Sequence, residues 1–237
     1  MSTPVVGVSL KAYFTLARTR SWLREAMSVV PDGVEFFVAP SHLGIADALR
    51  VFPDGVAAQD VSAYPAGAYT GEVTADELAE AGVRYAEIGH AERRRLFGET
   101  DDVVAAKTAR ALGRGITPVL CVGETTNPAD GGPDAAGVAV GQLRSALADA
   151  PAGRVIVAYE PVWAIGAAEP ASDDHIRAVA AALRDARREE HDAVIYGGSA
   201  GPGLLARLGE AVDGIFLGRF AHDVTALRAV IDEAVAR

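Results

Sequence analysis

Eight times along this chain a short apolar run is followed by a segment with helical spacing, and no other regularity constrains the fold as strongly. The runs cover 5–10, 35–39, 56–60, 85–88, 118–122, 155–159, 194–196 and 214–217. Most of them lack strict polar alternation, as parallel strands buried on both faces should. Helices are expected at 16–29, with Trp22, Leu23, Ala26 and Val30 at helical spacing, and at 43–49. Thr74 and Glu77 have the form of a capping box, with Gly82 as the stop. The main helix after the fourth run is expected to begin at Thr100 and end before Gly113. Later helices should carry Val140, Leu143 and Leu147 on one face, cover 173–190 and 203–208, and finish with a stripe of Leu227, Val230, Ile231 and Val235. Eight strand-then-helix units in 237 residues predict an α/β fold, a single (β/α)8 barrel spanning 1–237. An open doubly wound sheet normally has a Gly-rich phosphate turn after its first strand, and Lys11-Ala12-Tyr13-Phe14 is not one.

Composition narrows the partners. The net charge of −10 disfavours nucleic acid and anionic membranes, so positive charge that receives an anion must be local. The start, Met1-Ser2-Thr3-Pro4, has no basic n-region, and no apolar run approaches a membrane span. The expectation is a soluble cytoplasmic protein. The single cysteine, Cys121, has no internal disulfide partner, and no zinc-ligand spacing is present. The charge cluster at 184–190 has mixed signs and reads as a solvated helix face.

In a barrel of this kind function sits where the strands end. Glu160 ends the sixth run, before a Pro-led loop carrying Trp163 and Ile165. A carboxylate under a loop that can close is the layout of a general base shielded from water. Ser9 and Lys11 end the first run, His90 follows the fourth, and Cys121 and Glu124 lie at the fifth. Gly197, Gly198 and Ser199 follow the seventh, and Gly218 and Arg219 the eighth. A Gly pair before a helix suits a phosphate, because backbone N–H groups can approach it closely. Each residue alone also fits a plainer role: a solvated lysine, a turn-capping histidine, an ordinary glycine turn. Cys121 reads as a small buried residue, Glu92 with Arg93 as a structural ion pair, and His42, His175, His191 and His222 as surface residues.

Together the stretches 88–94, 121–124, 159–166 and 196–199 resemble the triosephosphate isomerase family over essentially the whole chain. The resemblance implies a TIM barrel and an aldose–ketose isomerisation of a small phosphorylated sugar, glyceraldehyde 3-phosphate with dihydroxyacetone phosphate. It also implies the family's known relay. Glu160 would move a proton between adjacent carbons, neutral His90 would polarise the carbonyl, and Lys11 would supply positive charge. Residues 161–168 would form the lid, and donors near Gly166, Ser199 and Gly218 would hold the phosphate. No metal or organic cofactor is implied. Gln59-Asp60 with 67–72 is similar to the family's third loop, which docks into a partner subunit, and implies a homodimer.

Four positions depart from the family pattern. Ser9 replaces an asparagine, Ala91 replaces a serine, Ala167-Ala168-Glu169 replaces Thr-Gly-Lys, and Gly218-Arg219 replaces paired glycines. Trimming Asn to Ser opens space for roughly one hydroxymethyl group. The alternative substrate is therefore a four-carbon ketose phosphate, L-erythrulose 1-phosphate with D-erythrulose 4-phosphate. A third reading is a barrel that binds sugar phosphates without catalysis. Arg219 either reaches the phosphate or turns outward to a surface carboxylate.

Overall fold

The absence of alternation in the strand runs has a simple cause: both faces of each strand are covered. The computed structural model describes residues 3–167 and 169–237. Among the described residues the parallel strands are β1 (Val5–Ser9), β2 (Glu35–Ala39), β3 (Ala57–Ala58), β4 (Tyr85–Ile88), β5 (Thr117–Val122), β6 (Ile156–Tyr159), β7 (Ala193–Tyr196) and β8 (Gly214–Leu217). Their order around the sheet is β2-β1-β8-β7-β6-β5-β4-β3. A bridge between Val38 and Val56 joins the two ends, making a nearly closed (β/α)8 barrel. Side chains at alternate positions fill the interior, among them Phe37, Val119, Ile156, Ile195 and Phe216. Their neighbours Val6, Val38, Leu120, Val157 and Ile215 face outward onto the helices.

Those helices are α1 (Leu16–Met27), α2 (Ile45–Leu49), α3 (Ala75–Ala81), α4 (Ala91–Phe97), α5 (Asp101–Leu112), α6 (Ala135–Leu147), α7 (Asp173–Ala186), α8 (Leu204–Leu208) and α9 (Val224–Val235). Side chains of Thr15, Thr74, Thr100, Asp134, Ser172 and Asp223 accept hydrogen bonds from first-turn N–H groups. The expected stop at Gly82 is a left-handed C-cap with φ 96°.

The differences from expectation are local. β3 keeps only Ala57–Ala58, because Gln59 turns away to bond the backbone of neighbouring loops. A short helix, α4, starts directly after His90, ahead of the helix expected from Thr100. α7 ends at Ala186 rather than 190, where Arg187 turns extended. The Arg188 guanidinium then donates to the carbonyls of Ala150 and Pro151. Arg184 bonds Asp213 and the Glu210 carbonyl, so this charge cluster staples loops and is not merely solvated. On α9 the buried stripe closes with Ala234, while Val235 is 55% exposed.

Candidate active site

β1 ends at Ser9, and two residues later Lys11 takes φ 46°, a left-handed conformation that costs a lysine free energy. Gln59 holds the turn there by donating from Nε2 to the carbonyls of Lys11 (3.0 Å) and Ala39 (2.9 Å). β4 delivers His90 through Gly89, and the imidazole caps α4: its Nδ1 accepts from the Glu92 N–H at 3.1 Å. With Nδ1 an acceptor, the neutral ring carries its proton on Nε2, the nitrogen facing the barrel mouth. β6 delivers Glu160, which is only 3% exposed. Gly197 faces it, and any Cβ there would lie 2.8 Å from Glu160 Cγ, so the base and this glycine need each other.

The three groups converge. Lys11 Nζ lies 3.2 Å from His90 Nε2, and Glu160 Oε2 lies 3.6 Å from the same nitrogen. Two N–H donors thus sit side by side with no acceptor between them, a place for an oxygen of a ligand. Glu160 Oε2 is buried without a hydrogen-bond partner among the described residues. Such an orphan is costly in a fold and is a marker of function. Burial, reinforced by the Glu87 carboxylate, pushes the Glu160 carboxyl up to about 8. Burial, together with the Lys11 ammonium, pulls the His90 imidazole down to about 4, so it is neutral near pH 7. Burial alone would pull the Lys11 ammonium down, but the Glu92 carboxylate at 2.9 Å raises it overall. The Cys121 thiol is buried and raised well above its ordinary value, first by that burial, which suits a packing residue.

These groups line a cavity of about 650 Å³ whose wall also contains Ser9, Gly166, Gly197, Gly198, Ser199, Gly218 and Arg219. Ser9 Oγ donates to Glu87 Oε2 at 2.8 Å. The rim over the cavity is tied to the barrel by Glu124. Its carboxylate accepts from Trp163 Nε1 (2.7 Å), is bonded by the Tyr159 hydroxyl (3.2 and 3.1 Å) and meets His175 Nε2 (3.2 Å). Farther along, Ser199 Oγ donates to the Ala167 carbonyl at 2.8 Å and ties the sixth loop to the seventh. Ala168, the last residue of the expected lid, lies outside the described residues. Among the described residues no carboxylate pairs with Arg219. Its guanidinium lies close to Gly166 across the cavity mouth.

Comparison with known proteins agrees with this geometry. The family model described as Triosephosphate isomerase matches residues 4–234. This chain belongs to the triosephosphate isomerase family. It is 44% identical to a protein named L-erythrulose-1-phosphate isomerase from Pectobacterium atrosepticum, over 97% of this chain and 95% of that one. It is 39% identical to the triosephosphate isomerase of Thermus thermophilus, over 88% of each. It is 45% identical to that of Leifsonia xyli, over 76% of this chain and 73% of the other. The family membership makes the chain an isomerase.

Within this family barrel, some expected roles change. Glu92 and Arg93 are not an ion pair: Glu92 pairs with Lys11, while Arg93 pairs with Asp60 (2.8 Å) and Glu99 (2.5 Å). Asp60 is also bound by Lys107, so it and Gln59 help hold the scaffold behind Lys11. His175 is not a surface residue but packs against Tyr159 and Glu124. Sequence reasoning missed Glu87 altogether. The available signal was a lone acid inside the run 85–88, where Tyr85 and Glu87 must both point into the barrel.

Proposed function

We propose that this chain isomerises a small ketose phosphate by proton transfer through an enediol. The observation that carries the reading is the convergence of Glu160 Oε2 and Lys11 Nζ within 3.6 Å of His90 Nε2 in one cavity. Glu160 takes the proton from the carbon beside the carbonyl, and the His90 Nε2–H and Lys11 ammonium stabilise charge on the carbonyl oxygen. The electron pair of the broken C–H bond becomes the enediol double bond. His90 passes protons between the two oxygens, and Glu160 returns its proton to the neighbouring carbon. The phosphate sits at the rim among Gly166, Gly197, Gly198, Ser199 and Gly218, facing Arg219. Lid closure excludes water and protects the enediol. The relay uses no metal or cofactor.

A four-carbon ketose phosphate fits the floor of this cavity better than a triose phosphate. Ser9 is short, and its hydroxyl is already committed to Glu87, so it leaves room and offers no donor of its own. The relative named for L-erythrulose 1-phosphate, alike over nearly the whole chain, supports the same choice. In that reaction both isomers are ketoses, and the relay is unchanged. Purified protein assayed on L-erythrulose 1-phosphate and glyceraldehyde 3-phosphate tests the reading. Turnover of the tetrulose above the triose is expected. Efficient turnover of the triose alone restores the triose reading, and turnover of neither favours a non-catalytic binder.

The same reading makes the chain a cytoplasmic homodimer. The exposed loop at 63–72 carries Tyr64 and Tyr69, 50% and 41% exposed, with rings stacked at 4.4 Å. A stacked aromatic pair in water suits a partner's pocket. Sedimentation should give a dimer at micromolar concentration, and a monomer there contradicts this assembly.

A further inference from the structure

Glu87 is a buried carboxyl, 4% exposed, with few partners. Glu124 is met by three side chains, and Asp192 accepts from the N–H groups of Val155 and Glu189. Glu87 has one hydrogen bond among the described residues, from Ser9 Oγ to its Oε2. Its Oε1 lies 3.8 Å from His90 Nε2, beside the point where Lys11 and Glu160 converge. β1 and β4 each turn this pair inward at the last interior layer before the mouth. Burying a carboxyl with half its bonding capacity unused is expensive, and such deficits cluster at binding sites.

We propose that Glu87, anchored by Ser9, is the specificity-determining residue that takes the terminal hydroxyl of a four-carbon ketose phosphate. This rests on the four-carbon reading above. A triose phosphate carries only hydrogen at that position. The tetrulose carries a hydroxymethyl group, and its oxygen needs a partner once water is excluded. Ser9 makes the space, and Glu87 Oε1 is the polar atom at its back. A carboxyl accepts when charged and donates when neutral, so it serves a hydroxyl in either state. A site built around a hydroxyl discriminates far more strongly than one that measures size alone.

The test compares kcat/KM for L-erythrulose 1-phosphate and glyceraldehyde 3-phosphate in the wild type, Glu87→Leu and Glu87→Gln. Glu87→Leu should lower the tetrulose-to-triose ratio by ~100-fold, each variant being read at its own pH optimum because the Glu87 charge also acts on Glu160. Glu87→Gln, which keeps a hydrogen-bonding group, should recover much of the lost ratio. Competition by erythritol 4-phosphate against glycerol 3-phosphate should follow the same order. If Glu87→Leu does not fold, Glu87→Ala is read in its place with the same expectation. An unmoved ratio, or equal losses on both substrates, overturns this role while leaving the four-carbon reading intact. A wild type that turns over only the triose overturns both.

Discussion

Three carboxylates at the N-terminal end of the barrel and two at the C-terminal end treat buried charge in opposite ways. At the N-terminal end Glu35 receives a bidentate grip from Arg154 (2.5 and 2.6 Å) and a third bond from Tyr85 at 3.0 Å. Asp192 and Asp213 there accept backbone N–H groups of Val155 and Val194. These three carboxylates are paired in geometries that serve stability. At the C-terminal end Glu160 Oε2 has no partner among the described residues and Glu87 has one. Lys11 is held in a strained backbone conformation beside them. The Glu160 and Glu87 side chains are also more deeply buried than those of Glu35 and Asp213, 3% and 5% exposed against 17% and 16%. Of these carboxylates, the two with unmet capacity have something to offer a ligand.

Breaking each end should therefore give different kinds of loss. Glu160→Asp retracts the base by one methylene and should lower kcat by ~1,000-fold with little change in KM; unchanged turnover removes Glu160 from the chemistry. Arg154→Ala should cost roughly 2 kcal/mol of stability in denaturant unfolding, because Glu35 is left half-buried and unpaired. The same variant should keep its kcat, and a large loss of kcat without destabilisation would contradict the division between the ends.

Glu87→Gln sharpens the comparison through pH. Burial raises the Glu87 carboxyl to about 7, above its unfolded value, so its contribution to stability is fully present at pH 4 and is lost as pH rises through about 7. Glutamine does not titrate. The variant should therefore gain stability over the wild type as pH goes from 5 to 8, by on the order of 2 kcal/mol, read as a growing difference in Tm. The Glu87 charge also helps raise Glu160, after burial. Its removal should shift the midpoint for activation of the base, about 8 in the wild type, toward acid. A pH-independent difference in Tm with an unmoved rate profile would contradict the assignment of charge to this pair. The smallest expected effect is that of Ser9→Asn, which should raise triose over tetrulose turnover by about tenfold; an unmoved ratio means that Ser9 does not set substrate size.

Much of this was legible in the sequence, and the physical reason is period. Strands buried on both faces show as unbroken apolar runs, and helices announce themselves through Thr74, Thr100 and Gly82. The ends of the runs located Ser9, Lys11, His90 and Glu160, and the fold brings them to one cavity. What stayed hidden depends on pairings across the barrel. Glu92 sits beside Arg93 in the chain but pairs with Lys11, 81 residues away. His175 looks like a helix-surface residue until α7 lays it against Glu124 and Tyr159. Glu87 lies in a run read for its apolar character, so its charge passed unnoticed. α4 is a helix of about two turns whose N-cap is His90, and seven residues carry too little periodicity to be seen.

The central claim is that a buried carboxylate carries a proton from carbon to carbon at the unsatisfied end of the barrel. Isomerisation in D2O tests it directly, with the product examined by NMR or mass spectrometry. Proton transfer through Glu160 predicts deuterium on the carbon beside the product carbonyl, with none of that exchange catalysed by Glu160→Gln. Glu160 can hand back the proton it took, so only part of the product need carry deuterium; product formed at the full wild-type rate by Glu160→Gln would contradict the account.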